Sequence, residues 1–243
     1  VSVFDLDNNA QNKFKLIASR RLGGVVNFVS DTYPDEYVRY FIQDNVVMVN
    51  FECEQSFRID AVYSDGMDAL VRKAAELGHK NAAILSTLEP QYMLLDSRAA
   101  KFIELREQCG FNTDDGLLVG NDLGGKRTSE EMGYLLTKKL LASGKKFTVL
   151  FCINDMSALG AITALHESGI RVPDDISVVG CDDISICKYV HPSLTTLGFD
   201  KFAYGRQIAK TIIDKIKNPD MERFVQKVQA SPVFRNSLGK AKT

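Results

Sequence analysis

Short apolar runs alternate along the chain with segments in which apolar residues recur every three or four positions. The runs are rich in Val, Ile, Leu and Phe and predict strands at 24–29, 46–51, 82–85, 149–153 and 176–180. Each run is apolar at nearly every position, so we expect parallel strands that are covered by helices on both faces. Strands that alternate with helices along the chain predict an α/β fold.

Capping residues mark the ends of the predicted helices. Thr128, Asp155 and Asp200 each indicate a helix start, and we interpret the Asp155 carboxylate as an N-cap in preference to a ligand-binding group. Three glycines are expected to end helices: Gly78, Gly144 and Gly169. The polar, basic tail at 237–243 is expected to be frayed.

The composition is that of an ordinary globular protein. The 243 residues are 45% hydrophobic and 25% charged, enough for one large or two intertwined compact units. Lys and Arg number 30 and Asp and Glu 31, and this balance argues against a surface that neutralises nucleic-acid phosphates. No apolar run is long enough to span a bilayer and no signal-peptide pattern is present, so we expect a cytoplasmic protein without membrane association.

The cysteines and histidines indicate neither a metal site nor a disulfide framework. The five cysteines are odd in number and lack C-x-x-C spacing, and the three histidines lie far apart in the sequence. We therefore expect reduced thiols, no bound metal and no cofactor.

Polar residues follow two of the predicted strands at their carboxyl ends. Asn154 follows the strand at 149–153, and Asp182 follows the strand at 176–180. Ligands of open parallel sheets bind beyond this edge. The Asn amide both donates and accepts hydrogen bonds, and a carboxylate accepts them from hydroxyls or amines. From the local sequence, Asp182 either binds a ligand or caps its own loop.

Arg98 lies where a helix is predicted to begin, in the run LDSRAA. A cation at this end of a helix opposes the macrodipole. Its placement there favours a role in holding an anion or a hydroxyl-rich ligand. The alternative is a solvated surface arginine.

Motifs for catalysis are missing from the sequence. It contains no nucleophile elbow, no phosphate-binding loop of the P-loop type and no zinc-binding helix motif. The stretch 124–126 predicts a flexible turn, and Asp174 and Asp175 after Pro173 predict another. The sequence therefore favours binding over catalysis.

Five segments, in order along the chain, resemble the lactose-repressor/galactose-repressor family of transcription regulators. The most specific is the block from Asn154 to Thr196, which contains the run RVPDDISVVGCDD. The others are 64–66, 76–80, 199–205 and 234–237, of which the last resembles the closing strand of the family.

This resemblance implies a periplasmic-binding-protein-like effector domain of type I, built from two Rossmann-like lobes. One lobe would comprise 1–63 and 198–229 and the other 64–197 and 230–243. The chain would cross between them near Ser64, Leu197 and Ala230. In the family, an effector in the cleft between the lobes tunes a helix-turn-helix headpiece on operator DNA, and subunits pair as homodimers.

Carried over by position, the resemblance implies that Arg98, Asn154 and Asp182 contact the effector. All three would belong to the second lobe. The first lobe would have to supply their partners, and we predict Asn50 and Phe51, at the carboxyl end of their strand, in that role.

The sequence departs from the family at several points. The first strand–helix unit and the DNA-binding headpiece, which precede the part resembled by 1–4, are expected to be missing from this chain. Lys101 stands where Gly is usual and Cys181 where an aromatic residue is common. The stretch 123–130 lacks the aromatic residue that stacks on sugars in many members. Effector binding is therefore better supported than a sugar as the effector.

The sequence is best interpreted as the effector-binding domain of a bacterial DNA-binding repressor that senses a small polar metabolite, a sugar or a related compound. One alternative is a solute-binding protein of a transport system with the same fold, which a secretion signal would favour. Another is an enzyme on a doubly wound sheet, which a nucleophile–base pair at a strand end would support.

Overall fold

The computed structural model describes residues 22–28, 35–125 and 127–242 and divides the chain into two compact units. Unit 1 comprises Val1–Ala61 and Asp200–Val228, and unit 2 comprises Val62–Phe199 and Gln229–Thr243. The chain therefore passes from one unit to the other at three places. The segment 1–4 lies outside the described residues.

The described residues form helices and short strands in alternation. The helices are α1 (Asp35–Gln43), α2 (Ser64–Glu76), α3 (Ser97–Gln108), α4 (Ser129–Ala142), α5 (Asp155–Glu167) and α6 (Lys201–Lys217). The strands are β1 (Gly24–Val26), β2 (Val47–Val49), β3 (Arg58–Val62), β4 (Ala82–Leu85), β5 (Leu118–Val119), β6 (Val149–Cys152), β7 (Ser177–Val179), β8 (Thr196–Gly198), β9 (Val225–Gln229) and β10 (Ser231–Val233). Short 3₁₀ helices occupy Pro90–Leu95, Asp115–Leu117 and Ser185–Lys188.

Unit 1 is built around a small parallel sheet with helices on both faces. Strands β1 and β2 pair in parallel, and β3 pairs with β9. Side chains alternate across β2, because successive residues of a strand point to opposite faces. Met48 packs with Phe41 of α1, whereas Val47 and Val49 pack with Ile208 of α6. Residue 29, at the end of the predicted first strand, lies outside the described residues.

Unit 2 contains a parallel sheet in the order β5-β4-β6-β7. One face carries Ile84 and Phe151 against α2 and α3, and the other carries Leu85 and Leu150 against α4 and α5. The strand predicted at 82–85 is confirmed in full, and those predicted at 149–153 and 176–180 are slightly shorter in the structure. The predicted α/β architecture with parallel strands covered on both faces is therefore confirmed.

Two of the three predicted N-caps are confirmed and one is wrong. The side chains of Thr128 and Asp200 accept hydrogen bonds from backbone N–H groups in the first turns of α4 and α6. At α5 the cap is Asn154, whose Oδ1 accepts from the Ser157 N–H at 2.8 Å. Asp155 is instead the first residue of the helix, where its carboxylate turns inward and is fully buried.

The carboxyl-terminal tail is held in place, and the prediction that it is frayed is wrong up to Lys242. Ser237 is buried, and its hydroxyl donates to the Val178 carbonyl at 2.6 Å. The Gly239 carbonyl lies 3.0 Å from Nε2 of the buried His79. Burial lowers the pKa of His79. The family-like closing strand is also shifted, since β10 ends at Val233 and 234–237 is irregular.

Helices α4 and α5 approach each other until their backbones touch. A Cβ on Gly133 of α4 would lie 2.1 Å from the Ser157 carbonyl oxygen, and a Cβ on Gly160 of α5 would lie 2.0 Å from the Glu130 carbonyl oxygen. Both distances are far below any allowed contact, so each glycine makes room for the other helix. This reciprocal fit fixes the starts of both helices at the same edge of the sheet.

Candidate functional site

The predicted site residues of unit 2 lie at the carboxyl edge of its sheet. Strands β4, β6 and β7 run parallel, so their carboxyl ends meet at one edge. The chain continues from β6 into Asn154 and from β7 into Asp182, while Arg98 lies in the first turn of α3, the α-helix that follows β4. Parallel α/β sheets bind their ligands at this edge.

Arg98 is held rigidly by its neighbours. Its Nε and Nη2 donate to the two carboxylate oxygens of Asp96 at 2.9 and 2.8 Å, and its guanidinium lies 5.3 Å from the centre of the Tyr63 ring. Burial alone would raise the pKa of Asp96, but the hydrogen bonds from Arg98 hold it below the usual value. Asp96 is also the N-cap of α3, so its charge offsets the unfavourable position of a cation at this helix end.

Asp182 has an unusual backbone conformation. Its φ is +116° and that of Asp183 is +48°, a region that residues with a side chain rarely adopt. The Asp182 N–H donates to the Leu197 carbonyl at 2.7 Å, which helps to hold this conformation. Backbone strain of this kind clusters at functional sites. The Asp182 Oδ1 lies 3.8 Å from Nη1 of Arg98, so the structure brings these two predicted residues together.

A buried carboxylate supports the loop between β7 and β8, which carries Asp182. Asp155 accepts hydrogen bonds from the Ile184 N–H at 2.9 Å, from the Cys187 thiol at 3.1 Å and from the Thr196 hydroxyl. Its own N–H donates to the carbonyl of residue 181 at 2.7 Å. Asp155 therefore joins the start of α5 to both ends of the loop, and it acts as a positioning residue.

A second ion pair closes the same loop from the other side. Asp183 Oδ1 lies 2.6 Å from Nη2 of Arg235, and Nη1 of Arg235 donates to the Leu194 carbonyl at 2.8 Å. Both side chains are largely shielded from solvent. The Asp182 loop is thus fixed by contacts on two sides, which leaves the Asp182 carboxylate one-third exposed.

Asn154 lies at the same edge, with half of its amide already engaged. Its Oδ1 caps α5, and its Nδ2 lies 3.4 Å from the hydroxyl of Ser129 at the start of α4. The side chain is half-buried. Its amide nitrogen carries two N–H groups, so it can donate to a further acceptor besides Ser129.

Asn50 and Phe51 belong to the framework of unit 1. Asn50 has φ +63°, and its amide pairs with both backbone groups of Ile59 and with the Tyr204 hydroxyl at 2.9 Å. Phe51 is 4% exposed and packs edge-to-face on Phe41 with ring centres 5.8 Å apart. The structure thus gives both side chains structural partners, and their ligand contact stays a prediction.

The thiols near this edge are buried. Cys152, Cys181 and Cys187 are inaccessible, and burial raises the pKa of Cys181 to about 12. A thiol in this state is not a nucleophile at neutral pH. Across 22–28, 35–125 and 127–242, no group of three His, Cys, Asp or Glu residues could hold a metal ion. In the same ranges, no helix combines the length and the apolar character needed to cross a bilayer.

Residues that support the site were missed in the sequence. Asp96, Tyr63 and Arg235 hold Arg98 and the Asp182 loop, yet only Asp96 leaves a local signal. Asp96 is a cap-forming residue at a predicted helix start, whereas its bidentate pair with Arg98 is seen only in the structure. Tyr63 and Arg235 reach their partners from distant parts of the chain, and no local pattern marks them.

Comparison with known proteins shows that the chain is similar to bacterial transcriptional repressors. A family model described as a periplasmic binding protein-like domain matches residues 71–238. The HTH-type transcriptional repressor PurR of Vibrio parahaemolyticus is 38% identical over 232 residues, which are 93% of this chain and 67% of that protein. PurR of Haemophilus influenzae is 29% identical over 213 residues, and the match spans 86% of this chain but only 62% of that relative's length.

Solved structures share the fold. A LacI family regulator from Enterococcus faecium with bound ribose has a TM-score of 0.82 at 23% identity, with 95% of this chain and 85% of that chain covered. A regulator of the same family from Weissella paramesenteroides with bound sucrose has a TM-score of 0.79 at 21% identity, with 99% and 87% covered. The relatives are repressors and not transport proteins. The chain therefore belongs to the lactose-repressor/galactose-repressor family and contains its periplasmic-binding-protein-like effector-binding domain.

Proposed function

We propose that this chain is the sensing part of a bacterial transcriptional repressor. A small polar metabolite binds at Arg98, Asn154 and Asp182 and changes the affinity of the full-length protein for operator DNA. A helix-turn-helix headpiece outside this chain makes the DNA contact. The names of the relatives support this role, since they are HTH-type transcriptional repressors.

The pair formed by Arg98 and Asp182 is the observation that carries the proposal. Nη1 of Arg98 lies 3.8 Å from Oδ1 of Asp182, which exceeds hydrogen-bond length. A ligand hydroxyl can therefore accept from the guanidinium and donate to the carboxylate at the same time. Asp96 already fixes the guanidinium, so little side-chain freedom is lost when the ligand binds.

The donors and acceptors at this edge fit a polyhydroxy ligand. Arg98 donates, Asp182 accepts, and the Asn154 amide nitrogen donates, an arrangement that matches neighbouring hydroxyl groups. Related structures contain ribose and sucrose, which supports the same class of ligand here. We propose binding without catalysis; the buried Cys181 thiol, which contacts Arg98, has a raised pKa and stays protonated at neutral pH.

Removing either member of the pair is expected to weaken effector binding. Asp182→Ala or Arg98→Gln should remove about 1.5–3 kcal/mol of binding free energy, roughly a 10- to 150-fold loss of affinity, as is usual for hydrogen bonds to charged groups. Calorimetry with the tightest-binding sugar from a panel that includes ribose and sucrose measures this loss. Unchanged affinity in both variants would contradict the site.

A matched control comes from the same unit. Arg72 makes an equally well-formed bidentate pair with Asp68, at 2.7 and 3.0 Å, on the exposed face of α2. Arg72→Gln should leave effector affinity unchanged. A loss as large as that of Arg98→Gln would show that the effect is not specific to the site.

Family membership also supports a homodimer. Operator half-sites of such regulators mirror a two-fold axis of the protein. We expect an interface above about 1,000 Å², the size that distinguishes stable assemblies. Sedimentation equilibrium at tens of micromolar should return twice the 27.0 kDa mass of the chain. A mass equal to one chain would contradict the homodimer.

A further inference from the structure

The turn that precedes Arg98 exposes an unusual amount of apolar surface. Within the 3₁₀ helix Pro90–Leu95, the exposed fractions of Tyr92, Leu94 and Leu95 are 51%, 66% and 79%. We call these three side chains the apolar turn. Single exposed apolar residues are normal, but a cluster of this kind marks a binding surface.

The fold does not require apolar residues at these three positions. Met93 alone anchors the turn in the core, with 4% of its surface exposed. Pro90 packs on Gly120, where an added Cβ would lie 2.7 Å from the proline backbone. The Asp96 N–H donates to the Met93 carbonyl at 3.1 Å, and this bond needs no particular side chain at 92, 94 or 95. Polar residues at those positions would build the same turn.

The apolar turn lies beside the proposed polar pair. It follows β4 at the carboxyl edge of the sheet, and it leads directly into Asp96 and Arg98. Arg98 is three positions after Leu95, so their Cα atoms are at most about 11 Å apart. Both parts belong to unit 2, and the Asn121 N–H, which follows β5, donates to the carbonyl of Leu88 just before the turn at 2.7 Å.

We propose that the effector of this chain carries an apolar group, aryl or alkyl, that packs against Tyr92, Leu94 and Leu95 while Arg98 and Asp182 hold its hydroxyl groups. This inference rests on the proposed function and narrows its ligand to a glycoside or a similar polyhydroxy compound with an apolar substituent. Ligand sites are typically apolar surfaces with a few placed polar groups, and the two parts together have that composition.

The size of the effect follows from the area that the substituent buries. A phenyl group moved from water onto an apolar surface gains about as much as a buried aromatic side chain, which corresponds to roughly 10- to 150-fold in affinity. A methyl group in its place gains little. The ratio of the affinities of matched phenyl and methyl ligands therefore reports on the apolar turn alone.

Calorimetry on the 243-residue chain tests the proposal with methyl and phenyl glycosides of ribose, glucose and galactose. We expect the phenyl member of at least one pair to bind at least 10-fold more tightly than its methyl member. The double variant Leu94→Ser/Leu95→Ser, and separately Tyr92→Ser, should reduce this ratio towards one and leave the methyl glycoside's affinity unchanged. Phe202→Ser, which alters an 82% exposed apolar residue of unit 1, is the control and should leave the ratio unchanged.

The outcomes separate this inference from the proposed function. Equal affinities within every pair, with both members weakened by Asp182→Ala, would overturn the apolar contact and leave the proposed site standing. Affinities for both members of a pair that Asp182→Ala and Arg98→Gln leave unchanged would overturn both proposals, as would the failure of every pair to bind. If the Leu94→Ser/Leu95→Ser variant halves the sedimenting mass and keeps the phenyl preference, the surface contacts a second copy and the inference is wrong.

Discussion

Asp155→Ala is expected to destabilise the folded chain by about 3 kcal/mol or more. The Asp155 carboxylate is fully buried and accepts from the Ile184 N–H, the Cys187 thiol and the Thr196 hydroxyl. Alanine removes both acceptor oxygens on which these three donors rely, and each buried donor left without a partner costs about 1–3 kcal/mol. The loss should lower the midpoint of thermal unfolding followed by circular dichroism.

Two further variants make this expectation specific. Asp174→Ala removes a carboxylate of the same unit that is 62% exposed and paired only with a surface arginine, so it should change stability by less than about 1 kcal/mol. Asp155→Asn keeps one acceptor oxygen and the side-chain shape, so its loss of stability should fall between those of Asp155→Ala and Asp174→Ala. An Asp155→Ala protein as stable as Asp174→Ala would contradict the supporting role of Asp155.

The Asp155→Asn substitution should also affect ligand binding. Asp155 joins α5 to both ends of the loop that holds Asp182 in its positive-φ conformation. A looser loop lets Asp182 leave this strained conformation, and the carboxylate then moves from its place near Arg98. The folded fraction of Asp155→Asn should therefore bind the effector more weakly with no residue of the site replaced.

The sequence predicts the central strands because their environment imposes a simple pattern. Strand β4 is buried at all four positions, and a run of apolar residues is sufficient to find it. Strand β9 (VQKVQ) is largely exposed, and β5 has only two residues, so neither has an apolar run. These strands form through pairing with distant partners, and no local pattern predicts them.

The candidate site is predicted in part from the same kind of local pattern. The carboxyl-edge rule places Asn154 and Asp182 at one edge of the sheet, the helix start makes Arg98 a candidate, and the family resemblance implies all three. The choice of cap at α5 could not be made locally, because Asn154 and Asp155 are both cap-forming residues. Contacts from Ile184 and Thr196, 29 and 41 residues away, decide that Asp155 turns inward.

Phe51 shows how one backbone angle changes the meaning of a pattern. The apolar run 46–51 predicts a strand that extends to Phe51. Asn50 instead adopts φ +63°, which Asn tolerates better than most residues, and the chain turns there. The turn sends Phe51 into the core beside Phe41. Neither the turn nor its direction is encoded in the alternation of apolar and polar residues.

Gly160→Ala is expected to destabilise the chain by roughly 3 kcal/mol, at the upper end of the range for overpacking. In most helices the same change stabilises, because alanine has the higher helix propensity. At Gly160 the new Cβ would lie 2.0 Å from the Glu130 carbonyl oxygen of α4, and backbone cannot move aside as a flexible side chain can. The helices must separate, and the buried residues between them lose contacts.

Gly205 of α6 provides the opposite case in the same chain. It lies in a helix, is exposed, and an added Cβ meets no atom within 4 Å. Gly205→Ala should therefore raise stability by about 0.5–1 kcal/mol. Thermal unfolding of both variants should give shifts of opposite sign, and shifts of the same sign would contradict the contact between α4 and α5. Asn154 caps α5 beside Ser129 of α4, so separation of these helices would displace Asn154. Gly160→Ala should therefore also weaken effector binding. Gly205→Ala should leave effector binding unchanged.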